Sequence, residues 1–253
     1  MPNVGKFQRS AYSLAFMDGV SLTIPFYNEE QILDRTLSTI WTLLSGLDRP
    51  FELLLGDDGS TDRSYEIAQA FQAQHPNECR LLRNPTNRGR GSILAQAFSK
   101  AQMPLVVYVD ADLEIGPTYI KKLIEEFEDP KVMVCTGSKV LTPHGEAPRR
   151  HRRVATVVLN RLIRTCLNSS ITDHQCGLKG YRQSIVHSLL VDAKEVGWAF
   201  DTEMLLLAQR KKLVVREIPV SLKQHRPSTV SFLPTVCHFL IKVAQFRMRG
   251  LAL

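Results

Sequence analysis

The chain has 253 residues, 44% of them hydrophobic and 23% charged, which suits one large α/β domain with a substantial core and excludes wholesale disorder. Its net charge of +7 is unevenly laid out: residues 1–138 carry −5, residues 139–164 +6, residues 165–210 −1 and residues 211–253 +7. The acidic front half is suited to holding a cation and the two basic segments to meeting anions or an anionic surface; without zinc-ligand spacing or a ribonucleoprotein aromatic motif, nucleic acid is not an expected partner.

Lys6 and Arg9 precede a short apolar stretch, Ala11 to Met17, that Asp18 interrupts. It is too short and mixed for a signal peptide, and no run of about 18 to 20 apolar residues follows anywhere, so the chain is not expected to span a membrane by itself. The β-branched alternation Val20 to Ile24 predicts a first strand, stopped by Pro25, and apolar spacing predicts a helix over 29–44. Phe51 to Leu55 reads as a second strand, with Ser60, Thr61 and Asp62 as caps for a helix running to about Gln74. A short strand at 80–83, a helix at 89–101, a strand at 105–109, a helix from Pro117 to Glu128 and a strand at 132–137 complete an alternation that implies a mostly parallel sheet flanked by helices. Beyond residue 138 the pattern loosens into a Pro- and Arg-rich loop over 142–153, a helix over 154–167 and a polar turn region over 173–181. A helix at 198–210, a strand at 213–222 interrupted by Pro219 and a basic amphipathic helix at 232–250 follow. The five cysteines, Cys79, Cys135, Cys166, Cys176 and Cys237, are odd in number and without paired spacing, which favours reduced thiols and a cytosolic setting.

Chemistry concentrates where strands end. Asp110-Ala111-Asp112 closes the apolar run 105–109, and two carboxylates so placed can grip Mg²⁺ or Mn²⁺, whose shell phosphate oxygens usually complete. Asp-x-Asp also caps helices. Asp57-Asp58-Gly59-Ser60 ends the second strand and can accept from ribose hydroxyls or base N–H groups, or serve as a capped turn. A phosphoacceptor receiver domain would require a lone Asp on a middle strand and a later strand-end Lys, which are lacking. Pro25-Phe26-Tyr27-Asn28-Glu29 can stack on and accept from a base, or simply start a helix. Asn87-Arg88-Gly89-Arg90-Gly91 opens a helix whose N–H groups and guanidinium forks favour an anion.

In this order and spacing these four segments resemble the family 2 glycosyltransferases of GT-A fold. Asp173-His174-Gln175-Cys176-Gly177-Leu178-Lys179-Gly180-Tyr181 and Trp198-Ala199-Phe200-Asp201-Thr202-Glu203 narrow the resemblance to dolichyl-phosphate glucosyl- and mannosyltransferases, with the Trp-Ala-Phe-Asp segment leaning to the glucosyl branch. The resemblance covers residues 20–230, read as the catalytic domain, between an N-terminal extension at 1–19 and the C-terminal basic amphipathic helix at 231–253. It implies that Pro25, Tyr27, Glu29 and Asp58 frame a nucleoside and that Asp110 and Asp112 surround the metal-diphosphate as metal ligands, Asp112 first among them; Arg88 or Arg90 can assist the departing diphosphate with positive charge. Glu114 stands where mannosyltransferase relatives carry a Gln facing the metal. Arg149, Arg150, Arg152 and Arg153 fall on the acceptor loop, Lys179 and Arg226 join them at an acceptor phosphate, and Asp201 and Glu203 lie near the acceptor side of the sugar. Downstream, Arg226-Pro227-Ser228-Thr229 keeps the family's Arg but lacks its Gly and Lys.

The expected activity is therefore an inverting, metal-dependent transfer of a hexose from UDP-glucose or GDP-mannose to a polyprenyl or dolichyl phosphate. The expected location is peripheral, at the cytosolic face of a membrane. Two alternatives stay open: a non-lipid acceptor, which would press Asp201 or Glu203 into service as general base, and a catalytically silent nucleotide-sugar-binding module. The helix over 232–250 likewise has two readings, lying among lipid headgroups or packing its apolar face on the domain.

Overall fold

The computed structural model describes residues 19–142, 150–222 and 232–252, with the backbone alone at 150–156, 159 and 232–239. Seven strands form one sheet in the order β3-β2-β1-β4-β6-β5-β7: β1 (Val20–Phe26), β2 (Phe51–Asp57), β3 (Cys79–Arg83), β4 (Leu105–Val109), β5 (Val132–Ser138), β6 (Leu178–Arg182) and β7 (Val214–Pro219). All run parallel except β6, which is antiparallel to both β4 and β5.

Strands buried on both faces need helices on both faces. The alternation within β4 shows the division: Leu105, Val107 and Val109 join the core under α1 (Leu33–Ser45), α2 (Ser64–Gln74) and α4 (Thr118–Glu125). Val106 and Tyr108 face the opposite core with α3 (Arg90–Lys100), α5 (Arg150–Leu167), α6 (Gln183–Asp192), α7 (Phe200–Arg210) and α8 (Phe232–Met248). The chain winds from β1 outward to β3, then returns to place β4 on the other side of β1. That reversal opens a crevice beyond the carboxyl ends of β1 and β4.

The expected alternation up to β5 is present, with shifted ends. Pro25 does not stop β1: it pairs opposite Gly56 on β2, past the β4 ladder, which ends at Thr23–Tyr108, so its missing N–H breaks nothing on that side. Helix α1 starts at Leu33 instead of Glu29, because residues 28–30 are bonded to the loop after β2. The region over 173–181, read as polar turn, contains β6, and α6 follows it directly. Helix α5 starts at Arg150, inside the segment read as loop. The expected extension, apart from Gly19, lies outside the described residues.

Candidate active site

Three loops at the carboxyl edge are stitched to one another. Asn28 adopts φ 55° and its Oδ1 accepts from the backbone N–H groups of Thr61 (2.8 Å) and Asp62 (3.3 Å). Ser60 Oγ accepts from Asn28 N at 3.0 Å, Ser64 Oγ from Glu29 N at 2.8 Å and Asp62 from Glu30 N at 3.1 Å. Asp57 is fully buried, accepts from Ser60 N at 2.9 Å and pairs with Arg83 at 3.0 Å. Asp58, also buried, accepts from Asn84 Nδ2 (2.7 Å), Arg88 N (3.0 Å) and Gly89 N (2.9 Å), so it fixes the start of α3 against the end of β2. Tyr27 remains exposed on the rim, Glu29 is half-buried and Pro25 buried beneath them.

Arg90, the first residue of α3, reaches across the crevice. Its Nη1 donates to Asp201 Oδ2 at 2.7 Å, and its Nη2 lies 2.5 Å from Asp110 Oδ1. Asp201 sits below: it is 2% exposed, hydrogen-bonded by the Tyr108 hydroxyl, and 3.5 Å from Lys179 Nζ. Desolvation raises its pKa, but Arg90, Lys179 and Tyr108 outweigh that and hold the carboxyl below its ordinary value. Lys179, at 0% exposure, donates to the Cys176 carbonyl at 2.6 Å and to Tyr108 Oη at 3.2 Å. It is thus beneath the crevice floor instead of at its surface. The other side of the pair expected at the acceptor, Glu203, is equally buried: it accepts from the N–H groups of Lys194 (2.9 Å) and Glu195 (2.7 Å) and pairs with Arg249.

Asp110 leaves β4 with its N–H bonded to the Gly177 carbonyl at 3.0 Å. Its side chain keeps 35% exposure, yet the packed surroundings disfavour its charge. Desolvation pushes its pKa up to about 6, with Asp112 and Asp201 adding to the rise against the pull of Arg90 and Lys179. Asp112 Oδ1 accepts from Glu114 N at 3.1 Å across a turn whose Leu113 has φ 48°, and both carboxylates are half-buried. Thr36 on α1 anchors this turn through the Ala111 carbonyl at 2.7 Å.

Among the described residues no group of three or more His, Cys, Asp or Glu forms a ready-made cation cage. The donor set nonetheless fits a hard cation completed by phosphate oxygens, which commonly takes only one or two protein carboxylates. Two observations support the fit. A Cβ on Gly177 would fall 1.8 Å from Asp110 Oδ2, so the glycine is what lets the carboxylate lie in this orientation at the crevice. Arg90 brings positive charge to the same carboxylate, its Nη2 2.5 Å from Asp110 Oδ1, while its buried Nε has no hydrogen-bond partner among the described residues.

Other expected positions are less informative. Arg88 is exposed, with its N–H turned to Asp58. Arg150, Arg152 and Arg153 lie on the first turn of α5, where only the backbone is described, and Arg149 and Arg226 lie outside the described residues. Sequence reading gave no part to Tyr108 or Lys139 and placed Trp198 in the core or a pocket wall, whereas the residue is 57% exposed. Tyr108 had a usable signal, since it shares a strand face with Asp110 two residues on. Lys139 pairs with the buried Asp173 at 2.9 Å just past β5, a contact between distant segments that no local pattern announces.

A doubly wound sheet with acidic loops at its switch point, closed by one reversed strand, is the GT-A arrangement. Residues 21–190 match the family described as Glycosyl transferase family 2, and the chain belongs to that family. It is 33% identical over 215 residues to glycosyltransferase AglD of Haloferax volcanii, a match covering 84% of this chain but 34% of AglD, so the chain corresponds to about a third of that relative. Its fold resembles that of glucosyl-3-phosphoglycerate synthase from Mycobacterium tuberculosis, solved with Mn²⁺, UDP-glucose and phosphoglyceric acid (TM-score 0.71, 18% identity, 91% of this chain and 79% of that one). Mannosyl-3-phosphoglycerate synthase from Rubrobacter xylanophilus is similar as well (TM-score 0.72, 16% identity, 92% and 74%).

Proposed function

We propose that this family 2 glycosyltransferase moves a hexose, with inversion, from a nucleotide sugar to a polyprenyl or dolichyl phosphate at the cytosolic face of a membrane. Pro25, Tyr27, Glu29 and Asp58 frame the nucleoside, Asp58 by fixing the loop of Arg88. Asp110 and Asp112, with Glu114 beside them, hold the diphosphate through Mg²⁺ or Mn²⁺, as the Mn²⁺ and UDP-glucose in a structural neighbour encourage. When bound, the cation would neutralise charge building on the departing diphosphate. Arg90 adds a second positive charge to the same oxygens.

The observation that carries the acceptor reading is the burial of Asp201 and Glu203. A hydroxyl acceptor would need one of them as base, but both are 2% exposed or less and already bonded, Asp201 to Arg90 and Tyr108, Glu203 to Arg249 and two backbone N–H groups. A phosphate oxygen arrives already anionic. It attacks the anomeric carbon, the bond from that carbon to the diphosphate oxygen breaks, and no proton has to be removed, so positioning is the main task. Arg150, Arg152 and Arg153 on α5, with Arg149 and Arg226, supply the cations for it. No helix among the described residues is long and apolar enough to cross a membrane. Contact with lipid then falls to exposed apolar side chains such as Val157 and Val158 on α5 and Leu240 and Ile241 on α8.

The test is transfer of radiolabelled sugar from UDP-glucose or GDP-mannose to a short polyprenyl phosphate, with Mn²⁺ or a chelator, and with Asp112→Asn alongside. Lipid labelling from one donor, abolished by chelator and reduced at least ~100-fold by Asp112→Asn, is expected. Labelling of phosphoglyceric acid or a free sugar in place of the lipid would overturn the acceptor assignment.

A further inference from the structure

Trp198 stands 57% exposed in the turn before α7, although Ala199 and Phe200 on either side of the helix start are buried. Its exposure is not slack in the chain. Ser92 N donates to the Val196 carbonyl at 2.9 Å, and Glu203 receives the N–H groups of Lys194 and Glu195. Gly89, at φ 101°, packs so closely that a Cβ there would sit 2.5 Å from Val196 O, and Gly91 leaves the same room for Phe200. The turn is clamped between α3 and α7 with the indole outside.

The ring's place is set by Arg90. The guanidinium carbon lies 5.1 Å from the Trp198 ring centroid, while Nη2 of the same group lies 2.5 Å from Asp110 Oδ1. One guanidinium therefore separates the indole from the carboxylate that holds the diphosphate in the function proposed above. In a nucleotide sugar the hexose follows the outer phosphate, so it lies near that carboxylate, and the exposed indole face that Arg90 does not cover is the one open to it. Hexopyranoses carry an apolar face of C–H groups, and an indole held rigidly in water is a matching surface.

We propose that Trp198 is the platform on which the transferred hexose stacks, making it a specificity-determining residue for the donor sugar. The assignment rests on the nucleotide-sugar reading. The chain has two tryptophans, and Trp41 is packed with Phe51, Phe71 and His75 on the far face, so Trp41→Phe leaves Trp198 the sole indole emitter. Its emission is titrated in Mg²⁺ with UDP-glucose, GDP-mannose, UDP, GDP and farnesyl phosphate. In parallel, calorimetry compares the unsubstituted chain with Trp198→Ala and Trp198→Phe.

The expected result is an emission change with the sugar-bearing donor that the matching diphosphate alone does not give. Trp198→Ala should weaken donor binding about 3- to 10-fold while the diphosphate stays within about twofold, and Trp198→Phe should recover most of the loss. Equal responses to donor and diphosphate, or equal weakening of both, would overturn the platform and leave the donor reading intact. A response to farnesyl phosphate alone would give the indole to the acceptor and overturn it too. If the unsubstituted chain binds none of the nucleotides, the donor reading itself fails, and the platform with it.

Discussion

Gly177 has no side chain, and the carboxylate of Asp110 occupies the space where one would begin. A methyl group there would meet Asp110 Oδ2 at 1.8 Å, so Gly177→Ala must turn the carboxylate away or shift the strand end. Because displacements of about 1 Å at a reacting centre cost roughly 100-fold, kcat/KM should fall by about that much. The melting temperature should fall by a few degrees only, since Gly177 is buried but the clash is with the carboxylate end of one side chain and the carbonyl bond to Asp110 N can survive. Steady-state kinetics beside a thermal melt check both halves. The sequence made Asp110 and Asp112 legible because strand ends announce themselves by a change from apolar to acidic. It also set Gly177 within a motif. It was silent on why the glycine is there, since the contact joins residues far apart along the chain. The same limit hid Arg90: a guanidinium at a helix start was readable as an anion site, but its grip on Asp201 was not.

Two elements carry most of what sequence patterns left out. Strand β6 reads as a turn because it begins beside a glycine and carries Lys179 and Gly180, none of them typical of a buried strand. In the fold the lysine is satisfied by Cys176 O and Tyr108, and Gly180 lets Leu123 approach to where a Cβ would lie, 2.6 Å from Leu123 Cδ2. Local chemistry argued against a strand, and partners supplied by β4 and α4 overrode it. Helix α8 was legible as basic and amphipathic but not as to its partner. Its described part packs on the domain: Val243 and Phe246 are buried, Lys242 pairs with Glu195 at 2.8 Å, and Arg249 pairs with Glu203. One cation of α8, Lys242, and Arg249 just past its end therefore face protein carboxylates. Arg249→Ala leaves Glu203 buried with its two backbone donors alone, and a loss of about 2–3 kcal/mol in urea unfolding is expected. Lys242→Ala, at the more exposed pair, should cost under about 1 kcal/mol.

For the molecule as a whole, acid sensitivity should be set in good part by one histidine. His174 is fully buried, between Asn160 at 3.0 Å and Ser169 at 2.8 Å, and desolvation lowers its pKa to about 3, with Lys179 and Arg164 adding to the fall and Asp173 opposing it. Unfolded, the same imidazole titrates near 6.5. The unfolded chain therefore binds the extra proton first, and stability is complete above about pH 6.5 and declines as pH falls toward about 3. From this residue alone the slope should approach ~1.4 kcal/mol per pH unit, and His174→Gln should flatten the acid limb of the urea midpoint against pH. Parallel winding was legible at this scale, since helices and strands alternate as far as β5. Strand order was not, because insertion of β6 between β4 and β5 depends on which edges find each other in space.

That insertion has a consequence for the chain as it is made. The half-sheet β3-β2-β1-β4 can pair as soon as Val109 has left the ribosome, whereas both neighbours of β5, β6 and β7, lie later in the sequence. Translation at about 5–20 residues per second leaves β5 without a pairing partner for several seconds, and the open edge of β4 for longer still. During that interval three strand edges that the finished protein never exposes stand bare, and the nascent chain depends on whatever shields them until Arg182 emerges for two of them and Pro219 for the third.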